Sequence, residues 1–188
     1  MIQGYFPWLE APVDGPTDRQ QVIDQVIEVR RALDLLLARP QVDAERIGYV
    51  GHDYGAMHGA IVAGLENRID TYILIAGMGN FGDWSLKYWP ETAAGGEGAY
   101  RQATQDIDPI LYISRAAPAE LLFQFADSDI YISQETALAF YNEASEPKQI
   151  QWYEAAHDLN VKEAQDARLE WLGRQLDLAG ADHEQGRK

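Results

Sequence analysis

A 188-residue chain with no cysteine and a formal net charge of −15 excludes a disulfide framework and a thiolate metal site, and its excess of acid argues against a nucleic-acid surface, which needs clustered Lys and Arg. The length suits one domain, expected over residues 1–179, able to bury roughly two thirds of its unfolded surface. No charged-then-apolar leader follows Met1, no apolar run approaches the roughly 18 residues of a membrane span, and no convergent ligand set is visible, so the expectation is a cytoplasmic protein with no membrane partner, no metal and no cofactor.

In chain order, residues 1–15 hold Tyr5, Phe6, Pro7, Trp8, Pro12 and Gly15 without helical or strand periodicity and read as a loop. Pro16-Thr17-Asp18 offers a helix start. Val22, Val26, Val29, Leu33 and then Leu36 or Leu37 follow at spacings of three and four, which predicts an amphipathic helix to about Ala38, stopped by Pro40. Val42-Asp43-Ala44-Glu45 turns into a strand over 47–50, and a small-residue helix is expected over 56–65. The apolar runs 71–76 and 119–126, with 149–153, read as strands covered on both faces, separated by a helix over 134–144 and followed by one over 161–178. Strands alternating with helices predict βαβ units and a mostly parallel sheet with helices on both sides. The interval 78–117 is longer than such a connection needs and carries Phe81, Trp84, Tyr88, Trp89 and Tyr100 around Gly95-Gly96, so it is expected to form a small cap over a binding site. Residues 180–188 read as a polar tail.

The chemistry gathers around Gly51-His52-Asp53-Tyr54-Gly55, a glycine-bracketed turn between a strand and a helix. In the pattern G-x-D-x-G the central residue is presented at the tip of a strained turn, the arrangement called a nucleophile elbow. The bland alternative is that Asp53 caps the helix behind it. A nucleophile here needs an acid and a histidine downstream, each just past a later strand. Asp129 follows the 119–126 strand, with Asp127 as its competitor, and His157 follows the 149–153 strand. His52 is expected to line the pocket as a donor, His58 to pack within the helix, and His183 to belong to the tail.

From about Gln21 to Leu178 the chain resembles the α/β-hydrolase superfamily. Its surrounding sequence resembles the dienelactone-hydrolase and acyl-peptidase-like branch in Val42-Asp43-Ala44-Glu45-Arg46-Ile47-Gly48, Asp108-Pro109-Ile110-Leu111-Tyr112 and Ala155-Ala156-His157. The resemblance implies an α/β-hydrolase-like fold, a nucleophile at Asp53, an acid at Asp129, a base at His157 and an oxyanion donor in the Tyr54 backbone N–H. It also implies a small-molecule substrate, cleaved at an ester or lactone, an epoxide or a carbon–halogen bond, with His52, Trp84, Tyr88 and Trp89 around it. Tyr88, Trp89 or Tyr100 would donate hydrogen bonds to a leaving halide or an opening epoxide oxygen.

Two departures shape the expectation. The branch usually carries Ser or Cys at the elbow, and Asp there is the habit of epoxide hydrolases and dehalogenases of this fold. With a reference pKa of about 3.9, an aspartate needs no base to activate it, and it suits attack on an sp³ carbon better than on an ester, where it would give a mixed anhydride. The second departure is that only a helix and a loop precede Arg46. The expected sheet therefore lacks its N-terminal strands, and the 47–50 strand has an open edge through which two copies of the chain could pair. A truncated or non-catalytic hydrolase-like binding domain is the alternative.

Overall fold

The computed structural model describes residues 9–178; the aromatic stretch 1–8, the tail 179–188 and His183 lie outside the described residues. Helix α1 (Gly15–Leu37) begins where Asp14 accepts a hydrogen bond from the Thr17 N–H at 2.8 Å with Pro16 in the first turn, and it buries Val22, Val26, Val29 and Leu33 along one stripe. Strand β1 (Gly48–His52) leads into α2 (Tyr54–Ala63), and then come β2 (Thr71–Ile75), β3 (Glu120–Ala126), α6 (Gln134–Glu143), β4 (Lys148–Tyr153) and α7 (Lys162–Gln175). Between β2 and β3 the chain forms α3 (Phe81–Tyr88), a 3₁₀ turn, α4 (Glu97–Thr104), a second 3₁₀ turn and α5 (Ile110–Ile113). Among the described residues no helix is long and apolar enough to cross a membrane.

The four strands pair in parallel in the order β1-β2-β3-β4. β2 is buried at every position, and β3 at all but its first, because helices cover both faces of the sheet's centre. On one face α2 packs against β1 and β2. On the other, the buried Trp171 of α7 donates its indole N–H to Thr71 Oγ1 at 2.7 Å, and Gln124 of β3 donates to the Ala164 carbonyl at 3.2 Å.

The two margins differ from this centre. β4, read from the sequence as covered on both faces, is only half-buried, since among the described residues β3 alone flanks it. β1 pairs with β2 alone among the described residues, and Val50 is 49% exposed on it.

The interval 78–117 is helical, and periodicity could not reveal it because its helices span only eight, eight and four residues. Local caps build them. Asn80 Oδ1 accepts from the Asp83 N–H at 2.7 Å, and the buried carboxylate of Asp108 accepts from the Phe81 N–H at 2.9 Å and from Asn80 Nδ2 at 2.7 Å. Burial pushes the Asp108 carboxyl up to about 7 despite these donors. α4 is tied to the body through Tyr100, whose hydroxyl donates to the buried Asp18 of α1 at 2.6 Å.

Candidate active site

The turn after β1 closes because Gly51 has no side chain. A Cβ there would stand 2.3 Å from the Gly55 carbonyl oxygen, whereas one on Gly55 would meet nothing within 4 Å. Only the first of the two bracketing glycines is therefore required for space. Tyr49 pins the turn from below by donating its hydroxyl to the Gly55 carbonyl at 2.7 Å, and the Asp53 N–H donates to the Ile75 carbonyl of β2 at 2.9 Å.

At the tip, Asp53 has φ 54° and ψ −118°, a conformation that costs a non-glycine residue roughly 1–3 kcal/mol. Asp53 heads α2, and its carbonyl accepts from the Ala56 and Met57 N–H groups, yet its side chain makes no capping hydrogen bond. Its Oδ1 is buried with no partner among the described residues. A capping aspartate would spend that oxygen on the helix terminus.

Asp129 lies on the loop after β3. Its Oδ1 accepts from the N–H groups of Tyr131 at 2.8 Å and Ile132 at 3.0 Å, and its Oδ2 accepts from His157 Nδ1 at 2.8 Å. Burial would raise this carboxyl, but those donors outweigh burial and hold it below its ordinary value. Because a carboxylate faces Nδ1, that nitrogen carries the proton, and Nε2 is turned to Asp53 Oδ2 at 3.7 Å. Burial alone would lower the imidazole. The hydrogen bond to Asp129 and the Asp53 carboxylate override it and raise His157 from 6.5 to about 9. Asp127 is exposed and not part of this line; its N–H continues the β3–β4 ladder to the Tyr153 carbonyl.

Aromatic rings enclose the imidazole. Tyr131 meets it edge-on with centroids 4.9 Å apart, and Trp84 of α3 lies nearly parallel to it at 6.5 Å. Trp84 is 1% exposed, and its buried indole nitrogen has no partner among the described residues. Its ring also contacts Tyr54 at 6.1 Å and Tyr88 at 4.7 Å. The backbone N–H of Tyr54 opens α2 beside Asp53.

Other expected site residues are engaged elsewhere. The Tyr88 hydroxyl donates to the Tyr131 carbonyl at 3.2 Å, joined there by Lys87 Nζ at 3.3 Å. Trp89 is buried one ring further out, 6.2 Å from Tyr88. The proton of Tyr100, expected from the sequence as a donor to a leaving group, is given to Asp18 instead. His52 directs Nε2 to the backbone carbonyl of His157 at 2.8 Å rather than presenting a free donor. His58 is buried between Tyr54 and Phe81, and burial pushes it down to about 3, so it is neutral packing, as its place in the helix suggested. Tyr131 was not singled out from the sequence. Its signal was its position two residues beyond the strand-end acid, where its N–H supports that acid and its ring reaches the histidine. Among the described residues no three potential ligands gather to hold a metal ion.

No protein-family model and no curated protein matches the chain at a significant level. Solved structures do. The acetyl xylan esterase of Paenibacillus sp. R4 superposes with a TM-score of 0.68 at 23% identity, over 83% of this chain and 52% of the esterase. The fold is that of the α/β-hydrolases. The α/β hydrolase GrgF from Penicillium sp. sh18 gives a TM-score of 0.66 at 12% identity over 83% and 73% of the two chains, and the acylaminoacyl peptidase of Pyrococcus horikoshii gives 0.64 at 19% over 87% and 28%. The chain thus spans about half the length of the esterase it resembles.

Proposed function

We propose that the chain carries a hydrolytic centre that acts on a small organic substrate through a covalent ester of Asp53, with His157 as base and Asp129 orienting it. The observation that carries this reading is the state of Asp53. A residue at positive φ, with a buried oxygen that has no partner among the described residues, bears costs that a structural aspartate has no reason to bear, and an imidazole stands 3.7 Å from its other oxygen. The α/β-hydrolase fold supports the reading at the level of architecture alone.

The substrate class that suits a carboxylate nucleophile has an electrophilic sp³ carbon, as in an epoxide or a carbon–halogen bond. An Asp53 oxygen forms a bond to that carbon while the carbon–halogen or carbon–oxygen bond breaks, and the departing atom keeps the electron pair. The Trp84 indole N–H, which has no acceptor among the described residues, is the donor suited to that atom. Esterification removes the negative charge of Asp53, so His157 can give up its extra proton, to an opening epoxide oxygen or to solvent, and become the neutral base. His157 Nε2 then takes a proton from water as the water oxygen adds to the Asp53 carboxyl carbon, and the Tyr54 backbone N–H serves the developing oxyanion. The alcohol departs with the proton returned from His157, and Asp53 is restored carrying the water oxygen. The helices of 78–117, with Trp84 and Tyr88 against the imidazole and its neighbours, would act as the small cap.

A second reading is a hydrolase-like binding domain without turnover. The margin of β1, which pairs with β2 alone among the described residues and so offers an edge to a partner, is the observation in its favour. A panel of epoxides, short haloalkanes, esters and lactones, run with the parent protein and with Asp53→Asn, separates the two. Turnover that disappears in Asp53→Asn supports the covalent reading. Turnover that persists in a variant shown by mass to retain Asn refutes the nucleophile, and binding without any turnover supports the second reading.

A further inference from the structure

β4, which leads to His157, lies at the opposite margin of the sheet from β1, which leads to Asp53. Three strand spacings, about 14 Å, separate the two strands. Residues 154–161 therefore have to carry the imidazole back across the ends of β3 and β2, and they do so without helix or strand. Such a segment is placed by point contacts.

Most of those contacts come from the β3 and α7 side. The Ser128 N–H donates to the Ala155 carbonyl at 3.3 Å, and Asp129 accepts from the imidazole itself. Leu159 is fully buried, and its carbonyl accepts from Arg168 of α7 at 3.0 Å. These fix how far the loop stands from the sheet and how the ring is oriented. They do not fix its distance from the elbow. That distance is addressed by the hydrogen bond from His52 Nε2 to the His157 carbonyl, 2.8 Å long, between residues 105 apart in sequence. Its donor is the residue immediately before Asp53.

We infer that His52 is a positioning residue, whose Nε2–H grips the backbone of His157 and sets the approach of the imidazole to Asp53. The acceptor is a carbonyl, so the donor nitrogen must carry hydrogen. The neutral tautomer protonated on Nε2 and the imidazolium both satisfy this, and only the tautomer protonated on Nδ1 fails. The grip therefore needs only a hydrogen on Nε2. It is also why His52 is not the substrate donor expected from the sequence, since the hydrogen on that nitrogen is already used.

The catalytic consequence rests on the proposed covalent reading, whereas the grip itself does not, and two kinds of measurement keep them apart. In the unmodified protein, nitrogen NMR of the imidazoles is expected to report His52 with hydrogen on Nε2; a neutral His52 with hydrogen on Nδ1 overturns the inference. In His52→Phe, which keeps a ring and removes the donor, the His157 titration midpoint is expected to fall by about one unit as the imidazole drifts from Asp53, and His52→Gln, whose amide can donate, should restore it. On any substrate the parent turns over, His52→Phe should lower kcat roughly 10- to 100-fold with KM changed less than about threefold, the expected result of misplacing a base by about 1 Å. An unchanged His157 titration in a folded His52→Phe overturns the inference. So does a raised KM with kcat intact, which would mark His52 as a substrate contact. A parent protein that turns nothing over while the titration shifts as expected would sink the catalytic reading and leave the grip standing.

Discussion

Replacing Asp53 by Asn removes a negative charge facing His157 Nε2 and keeps the side chain nearly the same size. The two groups are 3.7 Å apart, with side chains only 10% and 14% exposed. Unit charges about 4 Å apart interact by ~1 kcal/mol in water and ~4 kcal/mol at an effective dielectric near 20. With 1.36 kcal/mol per pKa unit, losing the Asp53 charge should lower the His157 midpoint by roughly 1–3 units. Asp129 still holds Nδ1 at 2.8 Å, so the imidazole, now at about 9, should approach neutrality rather than become acidic. A pH titration of the His157 ring resonances in the two proteins measures this directly. A midpoint in Asp53→Asn within a few tenths of the parent's would refute the reasoning. It would mean that the Asp53 charge is not felt at Nε2, and that esterification could not convert His157 into a base.

The same shift predicts a pH dependence of stability. A histidine raised from 6.5 to about 9 on folding contributes stability that is fully present below 6.5 and lost as pH rises through 9, at most about 3 kcal/mol. Urea unfolding between pH 6 and 10 should therefore show a falling stability in the parent, with a shallower fall above pH 7 in Asp53→Asn; parallel curves would contradict the linkage. Gly51→Ala should destabilise by about 1–3 kcal/mol or prevent folding, while Gly55→Ala should be neutral or stabilising by up to about 1 kcal/mol. Thermal melts should separate them at roughly 2–4 °C per kcal/mol, and equal melting temperatures would mean the elbow is not closed as described. Trp84→Phe, on a substrate the parent hydrolyses, should lower kcat about 10²-fold with the fold intact; an unchanged kcat would remove the indole N–H from the chemistry.

Much of this architecture was legible because its signals are local. The apolar stripe of α1, the buried runs of β2 and β3 and the glycine-bracketed turn each sit within a dozen residues of sequence. Asp129 and His157 were legible as an acid and a histidine just past two strands, and the parallel order of the sheet brings both side chains to the end where Asp53 stands. What escaped depends on partners distant in the chain or on elements too short for a period. Nothing in the spacing of Tyr100 says that its hydroxyl belongs to Asp18, 82 residues away, rather than to a substrate. Nothing near His52 points to a carbonyl 105 residues downstream. α3 is held by two side-chain caps rather than by a long apolar face, so Trp84 could be read as an aromatic of an insertion but not as a ring laid along the imidazole. The sequence also allowed Asp53 to cap α2, and only the structure shows that its side chain makes no capping hydrogen bond.

The central claim is that Asp53 becomes an ester. In His157→Ala the first step can proceed while hydrolysis stalls, so incubation with an epoxide or haloalkane that the parent turns over should leave a stable adduct. Peptide mass spectrometry should place the mass of the alkyl group on Asp53, with no adduct in the His157→Ala protein that also carries Asp53→Asn. A His157→Ala protein that binds the substrate yet carries no label, or carries it on another residue, would contradict the account.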